Sequence, residues 1–284
     1  MTSADNRHSR RDDPEIVIRP PKGLTIADFT ELVAYRGLIL SMIRRQLRTE
    51  YESTRLGVLW ALARPLLMTL VFTGLKQVSG AQMGVGIAYP LYLYSGLIFW
   101  FWFADSVMSS AVSLQSDAGL IRKVYFPRLI SPIVPIAASA CSLLVATLPI
   151  IPVALFLGYP PGPALLLLPL VVAEAAVLAL GAGLIFAALT LASRDWERFL
   201  GLLFYVGLFV SPVLHAPEIV PQAMRGLVFL NPMAGPLIAF RATLFGDVSF
   251  PWLPFLYSFA VAIAVLLAAL FVFRRVERVL IDTI

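Results

Sequence analysis

Two sets of residues in this sequence can do chemistry. Arg44, Arg45, Arg48 and Arg55, with Arg64 beyond them, crowd the approach to a long apolar run. A guanidinium is planar and always charged, and its fork can grip a phosphate through two hydrogen bonds at once. The same charges would also anchor a chain to anionic lipid headgroups without recognising anything. The second set is aromatic: "YPLYLYSGLIFWFWF" (89–103) holds eight aromatics in fifteen residues, against 12% overall. Aromatic faces stack on the C–H faces of sugars and on one another, and tyrosine adds a hydrogen-bonding tip. Belts of aromatics at bilayer interfaces are the plainer explanation. Because Trp100 to Phe103 point around a whole helical turn, they cannot all line one path. Some of Tyr92, Tyr94, Phe99 and Trp102 are expected inside, and the rest against lipid.

Enzymatic chemistry finds little support. No G-x-x-x-x-G-K-[ST], H-E-x-x-H, G-x-S-x-G or D-x-D pattern occurs, so neither a phosphate-cradling loop nor a hydrolase site is expected. A single cysteine, Cys141, lies within an apolar run, and only His8 and His215 could join it. That set forms no disulfide and no metal site, so we expect no catalytic residue, metal or cofactor on this chain. Arg64, Asp105 and Glu174 stand at membrane depth, where each charge costs at least about 2.5 kcal/mol. Each either serves function, pairs across the bundle or faces a water-filled cavity. Two carboxylates make a thin proton relay.

The elements that must position these residues follow from composition. The 284 residues are 59% hydrophobic and 14% charged, whereas soluble chains run about 45–50% apolar and about 25% charged. The excess gathers in runs at about 56–79, 87–112, 129–158, 164–192, 199–216 and 251–273, near the ~20 residues that a 30 Å hydrocarbon core demands. These are continuous runs, not the ten-residue alternation of a β-barrel. The expected fold is all-α: a polytopic membrane protein of six transmembrane helices. Pro132, Pro135, Pro149 and Pro152 should kink or break the third span, and small residues in "LALGAGL" (178–184) should let helices approach closely.

Eighteen lysines and arginines fall before the first span, in the loops near 113–128 and 193–198, and in the C-terminal tail. The other side holds Lys76, Arg225 and Arg241, with Arg64 at the border. Both termini are therefore expected in the cytoplasm. A pI near 9.6 then reflects anionic lipid and membrane orientation, with no nucleic-acid partner.

Residues 1–27 read as a polar, Pro-interrupted cytoplasmic tail without the apolar core of a signal peptide. From Thr25 or Asp28 to about Glu52, residues Phe29, Leu32, Val33, Ile39, Leu40, Ile43, Leu47 and Tyr51 share one helical arc. Thr30, Ser41, Arg44, Arg45, Arg48 and Glu52 lie opposite. That is an amphipathic segment suited to the membrane interface, although a helix packed on a neighbouring domain would look similar. Arg36 interrupts the apolar arc and would have to snorkel or pair. Between the second and third spans, Ser116 or Asp117 can cap a short helix ending before Pro127. It would present Leu120, Ile121, Val124 and Phe126 beside Arg122 and Lys123 as a cytoplasmic docking surface. Residues 217–250 suggest two short helices dipping into the outer leaflet around "NPMAGP" (231–236), or a rim loop.

"RLGVLWALARPLLMTLVF" (55–72), "YPLYLYSGLIFWFWF" (89–103), "LIRKVYFPRLISPI" (120–133) and "LNPMAGPLIAFRATLFG" (230–246) follow one another in a familiar order. Together they resemble the permease subunits of type-2 ABC exporters, above all those exporting O-antigen, teichoic acid and other lipid-linked polysaccharides. The likeness runs from residue 31 to near the C-terminus and leaves the tail before residue 28 unexplained.

The resemblance implies a homodimer of six-span subunits above a separate ABC ATPase homodimer, which would bind the ATP and Mg. It implies three units: the tail 1–27, an interface or gate helix 28–55, and a transmembrane domain 56–284. Within the last it implies a coupling helix at about 116–124, carrying Asp117, Leu120, Ile121, Arg122, Lys123 and Phe126. An outer gate would occupy 217–248, with Asn231, Pro232 and Arg241. Trp60, Tyr92, Tyr94, Phe99 and Trp102 would line the polysaccharide path. Arg44, Arg45, Arg48, Arg55 and Arg64 would frame a cytoplasmic portal for an undecaprenyl- or decaprenyl-pyrophosphate head. The expected function is ATP-driven export of a lipid-linked polysaccharide across the bacterial cytoplasmic membrane. A drug or lipid exporter of the same class, a secondary transporter or channel, and a membrane enzyme acting on undecaprenyl substrates are the alternatives.

Overall fold

The structure, a computed structural model, describes residues 32–51, 59–80, 82–246 and 249–280. The tail 1–27, the expected helix start at Thr25 or Asp28, and Arg55 lie outside the described residues. All regular structure among the described residues is helical. The helices are α1 Arg36–Tyr51, α2 Leu59–Ser79, α3 Tyr89–Ser116, α4 Ala118–Ile121, α5 Ile130–Thr147 and α6 Ile150–Phe156. They continue with α7 Leu168–Ala192, α8 Asp195–Val210, α9 Gln222–Leu230, α10 Ala234–Leu244 and α11 Trp252–Leu280.

Five of the expected spans are helices long and apolar enough to cross a membrane: Leu59–Ser79, Tyr89–Ser116, Ile130–Phe156, Pro163–Ala192 and Trp252–Arg275. The third changes hydrogen bonding between Thr147 and Ile150, where Pro149 has no N–H to give. The run expected at 199–216 forms α8, 16 residues long, or about 24 Å at 1.5 Å per residue. It is shorter than a bilayer core, yet it joins the two ends of the bundle. At its start Trp196 meets Phe186 of α7 edge-on at 6.5 Å. Just beyond its end, Pro212 and His215 offer carbonyls to the Tyr92 hydroxyl at 3.1 and 2.9 Å. The chain is an all-α, multi-pass membrane protein.

Contacts sort the connections by end. At the first end Gln115 Nε2 donates to Thr190 O at 2.7 Å, and Arg45 pairs with Asp117 at 3.1 Å. Phe273 of α11 packs there with Leu114 and Leu184. At the second end Gly246 N donates to Pro160 O at 3.0 Å, and Tyr89 donates to Leu214 O at 3.2 Å. This is the partition expected from the lysine and arginine counts.

α3 is the axis of the protomer, with α2, α5, α7, α8 and α10 packed around it. Nearly every residue from Tyr89 to Ala104 is buried. Close approach is made possible by glycine: a Cβ on Gly181 would stand 2.9 Å from Leu266 N of α11, and one on Gly183 would overlap Ser110 of α3. The expectation for 178–184 is met. α9 and α10 are bent against each other by 91°. Both flanks of the pair return to the second end, so the pair forms a hairpin there: Ala216 N donates to Met83 O at 3.2 Å and Gly246 N to Pro160 O at 3.0 Å.

Candidate functional site

The basic helix α1 is held by its apolar side. Met42 is buried with Phe126, Ile130 and Val134, and Leu38, Ile39 and Ile43 close over them. Arg44, Arg45 and Arg48 are all exposed, Arg44 and Arg48 on the opposite face and Arg45 beside Met42. Val33 and Leu40 stay exposed at the side, and Arg36 points to the exterior. Packing on α5 therefore takes part of the arc that the sequence suggests for the membrane interface. Arg45 spans to Asp117, whose side chain is only 12% exposed.

Arg64 is in a different place. It lines a cleft of about 220 Å³ between α2, α3 and α5 with Trp60, Trp102 and Asp105. Its Nη1 stands 3.3 Å from Asp105 Oδ1, and its Cζ lies 3.8 Å over the Phe101 ring. The two side chains are 55% and 61% exposed, so the pair remains open to a third group. The arginines thus divide between the face of α1 and this cleft. Asp105 is paired across the bundle; Glu174 is buried, with no hydrogen-bond partner among the described residues.

Tyr92, Tyr94, Phe99 and Trp102 are at most 8% exposed. The expectation that some face lipid is not met, because α3 is surrounded on all sides by other helices. Phe99 stacks on Phe240 at 4.5 Å, and the Tyr94 hydroxyl donates to Ala146 O at 3.0 Å. Trp102 borders both the Arg64 cleft and a wholly apolar groove of about 550 Å³ between α5 and α7. Trp60 is exposed at the cleft mouth.

The most tightly built polar site lies in the outer segment. Arg241, on α10, is 4% exposed. Its Nε and Nη2 donate to Tyr92 O at 3.2 and 3.0 Å, Nη1 to Pro212 O at 2.6 Å, and Nη2 to Val213 O at 2.9 Å. Its Cζ stands 3.5 Å over the Tyr92 ring. One guanidinium thus ties α10 to α3 and to the chain leaving α8. Gly96 makes the room, since a Cβ there would overlap Nη2. Asn231 donates to Ser211 Oγ at 2.7 Å and accepts from Met233 N at 3.0 Å, fixing the turn through Pro232 into α10. Sequence reasoning missed the clamp. Arg241 inside an apolar helix was the available signal, but nothing in the sequence pointed to Gly96.

The expected coupling helix is a single turn, Ala118–Ile121. Asp117 precedes it without a side-chain capping bond, because its carboxylate is engaged by Arg45. Leu120 and Ile121 pack against the α1 cluster, and Phe126 is buried within it. Phe126 is therefore turned inward, while Leu120 and Ile121 stay half-buried beside α1. Arg122, Lys123, Val124 and Tyr125 are exposed instead, Tyr125 at 65%.

Known proteins are similar to most of this chain. Over 238 residues the chain is 29% identical to the O-antigen export system permease protein RfbA of Klebsiella pneumoniae, covering 82% of this chain and 90% of that one. A protein of the same name from Myxococcus xanthus is 29% identical over 251 residues, 87% and 96% of the two chains. The polysialic acid transport protein KpsM of Escherichia coli is 26% identical over 201 residues, 68% and 75%. The ABC-2 type transporter family matches residues 37–245, from the first turn of α1 through the Arg241 clamp. The chain belongs to the ABC-2 type transporter family.

Proposed function

We propose that this chain is the membrane-spanning permease subunit of an ATP-driven exporter of lipid-linked polysaccharide, in the bacterial cytoplasmic membrane. The observation that carries this reading is likeness across most of the chain to relatives named for O-antigen export and polysialic acid transport. ATP and Mg belong to a partner ABC ATPase homodimer beneath the first end of the bundle, where both termini lie in the cytoplasm. A second copy completes the channel. α2 and α8 make no mutual contact of note and expose Leu67, Leu70, Leu202 and Tyr205, an apolar side for that copy. Arg44, Arg45, Arg48 and Arg64 receive the phosphate-linked lipid head. The glycan then passes between the copies, and the α9–α10 hairpin gates the outer end.

ATPase coupling runs through the exposed stretch after α4. Val124→Asp and Tyr125→Asp should leave assembly with the ATPase intact and lower substrate-stimulated ATP hydrolysis about tenfold or more, since each puts a charge against an apolar contact. Leu120→Asp should instead loosen α1 and reduce the yield of folded subunit. ATPase stimulation and export measured on the co-purified complex check both. Parental coupling in both exposed variants would remove this stretch from the ATPase contact.

A further inference from the structure

Beneath the Arg45–Asp117 pair lies a second polar cavity, separate from the Arg64 cleft. It has a volume of about 310 Å³ and is walled by α1, the last turns of α3 and the first turns of α5. That is near the lower bound of small-ligand sites, roughly 300–1,000 Å³. At its floor is Ser131, 1% exposed, whose hydroxyl has no hydrogen-bond partner. A buried hydroxyl without a partner costs free energy, so a small shift that turned it to an occupant of the cavity would be favoured.

The wall chemistry defines that occupant. Ser113 Oγ donates to Ser110 O at 2.8 Å and Ser116 Oγ to Val112 O at 3.1 Å. Each hydroxyl hydrogen is committed to its own helix, so these oxygens offer lone pairs to a ligand. Asp117, beside them, is acceptor-only. Donors come from the other walls: the Arg45 guanidinium and the Gln46 amide on α1, with Ser131 able to play either role. A bare phosphate or sulfate accepts only, and would meet the lone pairs of Ser113, Ser116 and Asp117. A polyol both donates and accepts. Met42, Val134 and Pro135 supply apolar patches for its carbon faces.

We infer that this cavity binds one hydroxyl-rich group, a sugar ring or the glycerol headgroup of a lipid. The inference stands on the cavity alone and does not depend on what the protein transports. An occupant would bridge α1 to the end of α3, reinforcing the Arg45–Asp117 contact. It would set the position of the basic helix relative to the turn that follows Asp117.

Thiol protection on the whole transporter tests it. In a Cys141→Ala background, Ser131→Cys at the floor and Thr49→Cys at the wall are labelled with a small thiosulfonate, and Glu197→Cys, at an exposed position, serves as an outside control. Free N-acetylglucosamine is the soluble probe. At ten times its dissociation constant it should slow labelling of both cavity cysteines about tenfold and leave Glu197→Cys unchanged. Gln46→Leu should abolish protection of Thr49→Cys. Nanodiscs of phosphatidylglycerol and of phosphatidylethanolamine distinguish the sources. Slowing in phosphatidylglycerol, with no effect of the sugar, identifies a lipid headgroup as the hydroxyl-rich occupant. Protection by neither probe overturns the inference, as does protection by inorganic phosphate alone. Failure of both cavity cysteines to label shows that the cavity is closed and overturns it too.

Discussion

Arg241→Met should abolish export and release the α9–α10 hairpin from the bundle. The guanidinium satisfies the carbonyls of Tyr92, Pro212 and Val213 in a fully buried position. Each buried acceptor left without a partner costs about 1–3 kcal/mol, and a whole domain is stable by only about 5–15 kcal/mol. Arg241→Lys keeps the charge but not the planar fork, so it should retain only part of the stability. Gly96→Ala is the independent check. It alters neither charge nor donor, yet its Cβ would overlap Nη2 and displace the same side chain. Both variants should lower the melting temperature of the purified complex and expose 217–230 to protease. Parental melting and export in Arg241→Met would show that the clamp holds nothing.

Arg64→Ala should cut export about tenfold or more while leaving the amount of folded complex unchanged. Both side chains are more than half exposed to the cleft, so the guanidinium can reach a third group without first leaving Asp105. A loss of export at unchanged complex yield would then come from what the arginine binds. A phosphate grip needs the planar fork, so Arg64→Lys should recover little export. The charge-exchanged pair Arg64→Asp with Asp105→Arg sharpens the comparison. It restores an ion pair between α2 and α3, yet moves the cation to another helix and removes it from above Phe101. Export rate and complex yield, measured together in membrane vesicles, separate the two roles. Export at the parental rate in the exchanged pair would make the contact purely architectural.

The spans were legible because apolar length is a one-dimensional quantity, and the bilayer sets it. Leu59–Ser79, Tyr89–Ser116 and Trp252–Leu280 begin within three residues of the runs seen in the sequence. Facing was not legible. α3 is apolar on every side, so nothing in its periodicity distinguishes a lipid-facing helix from the axis of a bundle. Its aromatics looked divided between path and lipid, yet all are interior to the protomer. The turn at 118–121 shows the same limit. Leu120, Ile121 and Phe126 read as one docking surface, but Phe126 is buried against α1, and Leu120 and Ile121 are half-buried beside it. Arg241 counted among the charges of the outer side. Its three acceptors come from residues 92, 212 and 213, a convergence that only the fold reveals. The Arg64–Asp105 pair was foreseeable in kind, since charges at membrane depth pair or act.

The location of the polymer after depletion of this chain tests the central claim most directly. Surface and internal polysaccharide are measured by antibody binding to intact and to permeabilised cells, with lipid-linked material extracted in parallel. The account predicts that surface polymer falls while lipid-linked polymer accumulates inside. The parental gene should restore the surface signal, and the Arg241→Met gene should not. Undiminished surface polymer, with no internal accumulation, would contradict polysaccharide export by this protein.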